Sequence, residues 1–176
     1  MTEESNCTAV PATAALPKPD KKNVNLFDLT ILVYSLSTRA TDTIIENATK
    51  DLPLAMTKLE MAERILPCNH PQRQKHIDNV ANIQKLVAYG KELRAVIGAE
   101  REAYSANMPE YSTGLFADYN QTCVVRFLGL VNVACAKMKE VCPAIASSPQ
   151  FKTLEGLQSH FECWSDAIRE VSEGKW

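Results

Sequence analysis

From residue 25 onward, apolar side chains return every three or four positions and seldom alternate every second residue. Spacings of three and four gather side chains on one face of an α-helix, whereas a strand alternates. The pattern predicts an all-α chain. One stretch is different. Residues 123–136 read Cys-Val-Val-Arg-Phe-Leu-Gly-Leu-Val-Asn-Val-Ala-Cys-Ala, apolar on every face and broken only by Arg126 and Asn132. A helix that is hydrophobic all round sits inside a core or a membrane. This run falls short of the roughly 20 consecutive apolar residues that a bilayer requires. It is expected to be a central helix wrapped by the others.

The first helix is predicted over residues 25–49. Asn25 can cap it, and Asp28 falls in the first turn, where a carboxylate suits the positive end of the helix dipole. Leu26, Leu29, Val33 and Leu36 form its stripe, which Phe27, Ile31 and Tyr34 widen. A second helix is expected to start at Asp51, with Pro53 in its first turn, and to end at Pro67. Leu54, Leu59, Ala62, Ile65 and Leu66 supply its apolar face. A third covers 74–106, where Gly90 and Gly98 each cost about 1 kcal/mol relative to alanine and mark places for a bend. The central helix spans about 115–142, between a loop with Pro109 and a stop at Pro143. Ser148-Pro149 then reads as a cap and a first helical residue. Phe151, Leu154, Leu157, Phe161, Trp164, Ile168 and Val171 follow as a stripe that should lie against the central helix. Together these make an all-α bundle of five to eight helices in one domain, 24–176. A leader, 1–23, holding Pro11, Pro17 and Pro19, reads as disordered.

Charge and composition narrow the functional classes. The net charge of -2 comes from 19 basic and 21 acidic residues mixed along the chain, which offers nucleic acid no basic face. The acidic start Met1-Thr2-Glu3-Glu4 leads into no apolar run, unlike a secretory signal. A cytoplasmic protein without a transmembrane segment is therefore expected, with Cys7, Cys68, Cys123, Cys135, Cys142 and Cys163 reduced and mostly buried. The glycines form no phosphate-binding loop, no glutamate lies three residues before a histidine, and there is no Gly-x-Ser-x-Gly elbow. Cys135, Cys142, His160 and Cys163 are the best candidates for a metal, with His160 and Cys163 one helical turn apart. Buried thiols explain the same cysteines more simply. No enzyme activity, metal or cofactor is expected.

Arg126 is what the apolar run least explains. A charge there must find a carboxylate, reach the surface on its long stem, or meet a partner. Two readings stay open: an internal ion pair, or an arginine on the floor of a groove that takes an acidic residue from a bound helix.

The order of segments resembles the Bcl family of apoptosis regulators. Residues 28–36 (Asp-Leu-Thr-Ile-Leu-Val-Tyr-Ser-Leu) are similar to that family's N-terminal helix, its fourth homology region. Leu86, Gly90 and Leu93 resemble the third region, although Lys91 stands where the family has an aspartate and Glu92 follows it. Leu115-Phe116-Ala117-Asp118 resembles the lead into the first region. There Asn120-Gln121-Thr122-Cys123 replaces Asn-Trp-Gly-Arg, and an arginine comes only at Arg126. Trp164 and residues 168–176 are similar to the second region, with Asn-Gly-Gly-Trp reduced to Glu173-Gly174-Lys175-Trp176 and no membrane anchor. The resemblance implies a regulator of cell death that binds an amphipathic helix of another protein in a surface groove. It would use Leu86, Gly90, Leu93, Phe116, Asn120, Arg126, Leu128 and Leu130; a homodimer stays open. The competing class is a helical-bundle scaffold or adaptor of the vinculin or focal-adhesion-targeting kind, which uses exposed helix faces and pairs Arg126 internally. An open apolar cleft of more than a few hundred Å² separates the two.

Overall fold

The computed structural model of this chain describes residues 26–109 and 115–172, with side chains placed to residue 170. It consists of α1 (Leu26–Ile65), α2 (Pro71–Ala106), α3 (Leu115–Val141) and α4 (Pro149–Ser172), with a short 3-10 turn, Pro143–Ser147, ahead of α4. No strand occurs among the described residues. The all-α expectation holds. The count of five to eight helices does not, because two predicted helices are one. The predicted leader, the Asn25 cap and residues 173–176 lie outside the described residues.

The merger runs through Pro53. A new helix was expected to start at Asp51 with Pro53 in its first turn, where the missing amide hydrogen does no harm. Inside a helix the ring also crowds the carbonyl four residues back. α1 instead continues unbroken for 40 residues. An interior proline costs about 3 kcal/mol, and packing on the opposite side of the helix offsets it. Leu52, Ala55, Leu59, Ala62 and Leu66, spaced three and four apart, carry α1 along α2, with both alanines buried. Thr49 and Pro53 are exposed, so the freed Thr49 carbonyl meets water.

α2 begins at Pro71, three residues before the predicted start. His70 Nδ1 accepts a hydrogen bond from the Gln72 amide at 3.2 Å, and Pro71 takes the first helical position, where its missing amide hydrogen costs nothing. Neither glycine breaks the helix. At Gly90 an added Cβ would stand 2.6 Å from Ile45 Cγ1, so this glycine lets α1 and α2 touch. At Gly98 a Cβ would meet nothing within 4 Å. The bounds of α3 match the sequence reading, and the Ser148 cap on α4 forms, its Oγ accepting from the Phe151 amide at 3.2 Å.

Cross-helix pairs give the topology. Asp42 meets Arg94 and Glu63 meets Arg73; Glu100 meets Arg126 and Tyr89 meets Lys137; Asn132 meets Gln158 and Lys139 meets Glu155. In each set one number rises as the other falls, so successive helices are antiparallel. α4 returns to pack on α1 as well as on α3, and among the described residues the backbones of α2 and α4 do not approach each other closely. This is an up-down-up-down four-helix bundle. The predicted α4 stripe forms: Phe151, Leu154, Leu157 and Phe161 are buried, with Trp164 and Ile168 packed partly against the core. Val171 lies beyond the described side chains.

The helices are unequal. At 1.5 Å per residue α1 and α2 are about 60 and 54 Å long, whereas α3 and α4 are about 40 and 36 Å. The buried core takes α1 from Leu29 to Ala48 and α2 from Leu86 to Tyr104. Beyond those limits α1 and α2 continue as a two-helix arm that turns at residues 66–70.

Candidate functional site

α3 was expected to be covered on every side. A helix in a four-helix bundle has two neighbours and a diagonal, and its outer face stays in water. Inside, Val124, Phe127, Val131 and Met138 are fully buried, with Cys123, Leu128 and Cys135 beside them. Outside, Val125, Gly129, Leu130, Val133 and Ala136 are exposed. Val133 is 58% exposed and Val125 55%. They form an apolar strip about 16 Å long on a helix face where a soluble bundle ordinarily places polar residues.

Polar groups bracket the strip. Toward α4, the Asn132 amide donates to Gln158 Oε1 at 3.0 Å. Toward α2, Arg126 donates from Nε and Nη2 to Glu100 Oε2 at 3.1 and 2.7 Å. The Lys137 ammonium lies 5.7 Å from the centre of the Tyr89 ring. By this register Leu130 falls level with half-buried Val96 on α2. Arg126 is thus neither buried nor alone. Its side chain is 56% exposed and its partner Glu100 17%, and the Glu100 carboxylate holds the guanidinium proton more firmly than usual. A pair this open contributes at most about 1 kcal/mol.

The other predicted partner-binding residues face inward. Leu86, Leu93, Phe116 and Leu128 are buried, and Gly90 lies against Ile45. Asn120 ties three helices together. Its Oδ1 accepts from Tyr104 Oη at 2.6 Å on α2 and lies 2.9 Å from Thr30 Oγ1 on α1, while its amide donates to the Phe116 carbonyl at 2.7 Å. Beside this cluster Tyr119 Oη donates to the Tyr104 carbonyl at 2.8 Å. Burial raises the proton affinity of Tyr34 and Tyr104, and burial with Cys123 alongside pushes Tyr119 up to about 12. Tyr34 Oη and Thr41 Oγ1 are buried without a hydrogen-bond partner.

Of the eight predicted residues, only Arg126 and Leu130 reach the surface strip. Sequence reasoning missed Val125, Val133, Tyr89 and Lys137. The signal was available: Arg126 and Asn132, the two polar breaks in the run, flank Gly129 around the helix and mark its wet side.

No reactive cluster competes with this strip. Among the described residues no three His, Cys, Asp or Glu side chains converge as metal ligands. Cys135 is buried while His160 and Cys163 are exposed, and burial, with Glu155 nearby, pushes the Cys135 thiol up to about 12. A shallow depression of about 630 Å³ opens between α1 and α2 at Thr38, Arg94, Gly98 and Arg101, where Asp42 already holds Arg94 at 2.9 Å. No helix among the described residues is long and apolar enough to cross a membrane. No protein-family model, curated protein or solved structure matches this chain.

Proposed function

We propose that this protein is a non-enzymatic interaction module, a helical-bundle adaptor that docks an amphipathic helix of another protein on the outer face of α3. The observation that carries this reading is the exposed strip Val125–Gly129–Leu130–Val133–Ala136. The fold gains nothing from apolar residues there, and a contiguous apolar patch rimmed by polar groups is a usual mark of a contact surface. Gly129 permits close backbone approach, since a side chain at that position would meet nothing of the bundle itself. A visiting helix would present apolar residues at i, i+3, i+4 and i+7 to the strip. Lys137 at its edge favours a partner with an acidic flank.

A deep groove of the Bcl kind is the weaker reading on this geometry. Its walls would need Leu86, Leu93, Phe116 and Leu128, which the bundle uses as core, and Arg126 already has a carboxylate. Titration of a panel of amphipathic helical peptides, followed by fluorescence anisotropy, tests the proposal. Wild-type protein should bind members of the panel at micromolar concentrations, and Val133→Asp should bind them about tenfold or more weakly while keeping its helical content. Equal binding by the two proteins, or none by either across the panel, would refute it.

A further inference from the structure

The side of α1 that is buried in the bundle continues uncovered along the arm. Val33, Ser37, Ala40 and Ile44 are buried on that side, and the same spacing runs on through Asn47 and Asp51 to Leu54, Lys58, Met61 and Ile65. Past the ends of α3 and α4 these apolar residues lie open: Ile65 is 74% exposed, Leu54 58% and Met61 56%. On α2 the positions that share this side, in step with buried Leu86, are Lys75, Asn79 and Asn82. The arm thus offers an apolar ridge on α1 beside a polar edge on α2.

Its charges select what fits. Over the apolar section the face carries Lys58 and Lys75, and neither forms an ion pair among the described residues. The acid on the same side, Asp51, sits at the bundle end. A second copy of the chain fits poorly. Parallel arms would drive one bundle into the other's α3 and α4, and arms laid tip to base bring Lys58 near its own copy at the middle of the ridge.

We infer that the arm is a second docking site, separate from the α3 strip, for an acidic amphipathic helix of another protein. That helix lies along α1 where the α3–α4 layer leaves off. Its apolar stripe covers Leu54, Met61 and Ile65, and its carboxylates reach Lys58 and Lys75. The ridge from Leu54 to Ile65 is about 16 Å long, so three turns of helix cover it.

The test uses the full chain with Val133→Asp in the background, so that the α3 strip does not contribute. Two labelled synthetic four-turn helices serve as probes, one with a leucine stripe flanked by glutamates and its twin with lysines in their place. The acidic helix should bind about tenfold tighter than its twin, and more so at low salt. Met61→Asp should weaken it by about tenfold, and Lys58→Glu, which with Lys75 leaves the face neutral, should abolish the preference between probes. Both side chains are exposed, so both variants should keep wild-type circular dichroism. Probes that bind alike, or binding unchanged by Met61→Asp, would overturn the inference. So would a wild-type dimer in sedimentation that Met61→Asp dissolves, since the occupant would then be a second copy.

Discussion

α1 and α2 pass without interruption through two settings. In the bundle they lie under α3 and α4, and a file of rings fills the space between: Tyr34 to Phe127 at 4.7 Å, Tyr34 to Tyr104 at 5.9 Å, Tyr104 to Tyr119 at 5.6 Å. In the arm, among the described residues, they have only each other, along a seam of Ala55 and Ala62 between half-buried leucines. Helical geometry is the same in both, yet the burial that stabilises it is not. Helix length is therefore a poor guide to local stability. Packing of an amphipathic face, more than propensity, decides how firmly each turn is held. The arm trades burial for exposed apolar surface, and α3 does the same on its outer face.

Substitutions on either side of the boundary should expose the contrast. Phe127→Ala removes a fully buried ring and should cost about 3–5 kcal/mol in urea unfolding. Leu59→Ala, at a half-buried place in the arm seam, should cost under about 2 kcal/mol. Equal costs would mean that the arm is as firmly packed as the bundle. Next in size, Asn120→Ala should lose about 2 kcal/mol, because Tyr104 Oη loses its acceptor inside the core, while Thr30 Oγ1 keeps the Leu26 carbonyl at 2.8 Å. A loss under about 0.5 kcal/mol would show that the cluster does not fasten the three helices. Gly90→Ala should destabilise by about 1–3 kcal/mol, since the new methyl group meets Ile45. Gly98→Ala, in open space on the same helix, should stabilise by up to about 1 kcal/mol.

A smaller effect comes with alkali. Folding holds protons on Cys135 and on Tyr34, Tyr104 and Tyr119 beyond their ordinary values of 9.0 and 10.0. Groups whose proton affinity rises on folding contribute fully below the unfolded value and lose that contribution as pH climbs toward the folded one. The thermal midpoint should therefore stay level from neutral pH to about 9 and decline above it. In Cys135→Ala the decline should start about one pH unit later. A midpoint that rises above pH 9 would contradict the burial of these groups.

Much of the fold was legible where a residue does a local job. Pro143 stops α3, and Ser148-Pro149 starts α4 by capping chemistry that needs no distant partner. Pro53 misled because its effect depends on what lies opposite: with Ala55, Leu59 and Ala62 seated on α2, the helix carries the lost hydrogen bond. The same holds for Gly90, whose role shows only once Ile45 is beside it. At the candidate site, the apolar character of residues 123–136 was plain, but which side stays wet depends on how many helices surround it. Four helices leave a face of α3 open; a larger bundle would close it. Arg126 stood out as a charge in apolar company, whereas Asn120 was marked only by the family resemblance, and tertiary contacts alone sent Asn120 inward to Tyr104 and Arg126 outward to Glu100.

The central claim is that partners meet this protein on its outer face and not within its core. Methyl NMR during titration with an amphipathic helical peptide tests it most directly. The methyl groups of Val125, Leu130 and Val133 are predicted to shift first, while those of Leu86, Leu93 and Leu128 hold still. Early, large shifts of those three leucines, with Val125 and Val133 unmoved, would contradict it and put the partner in a groove that opens into the core.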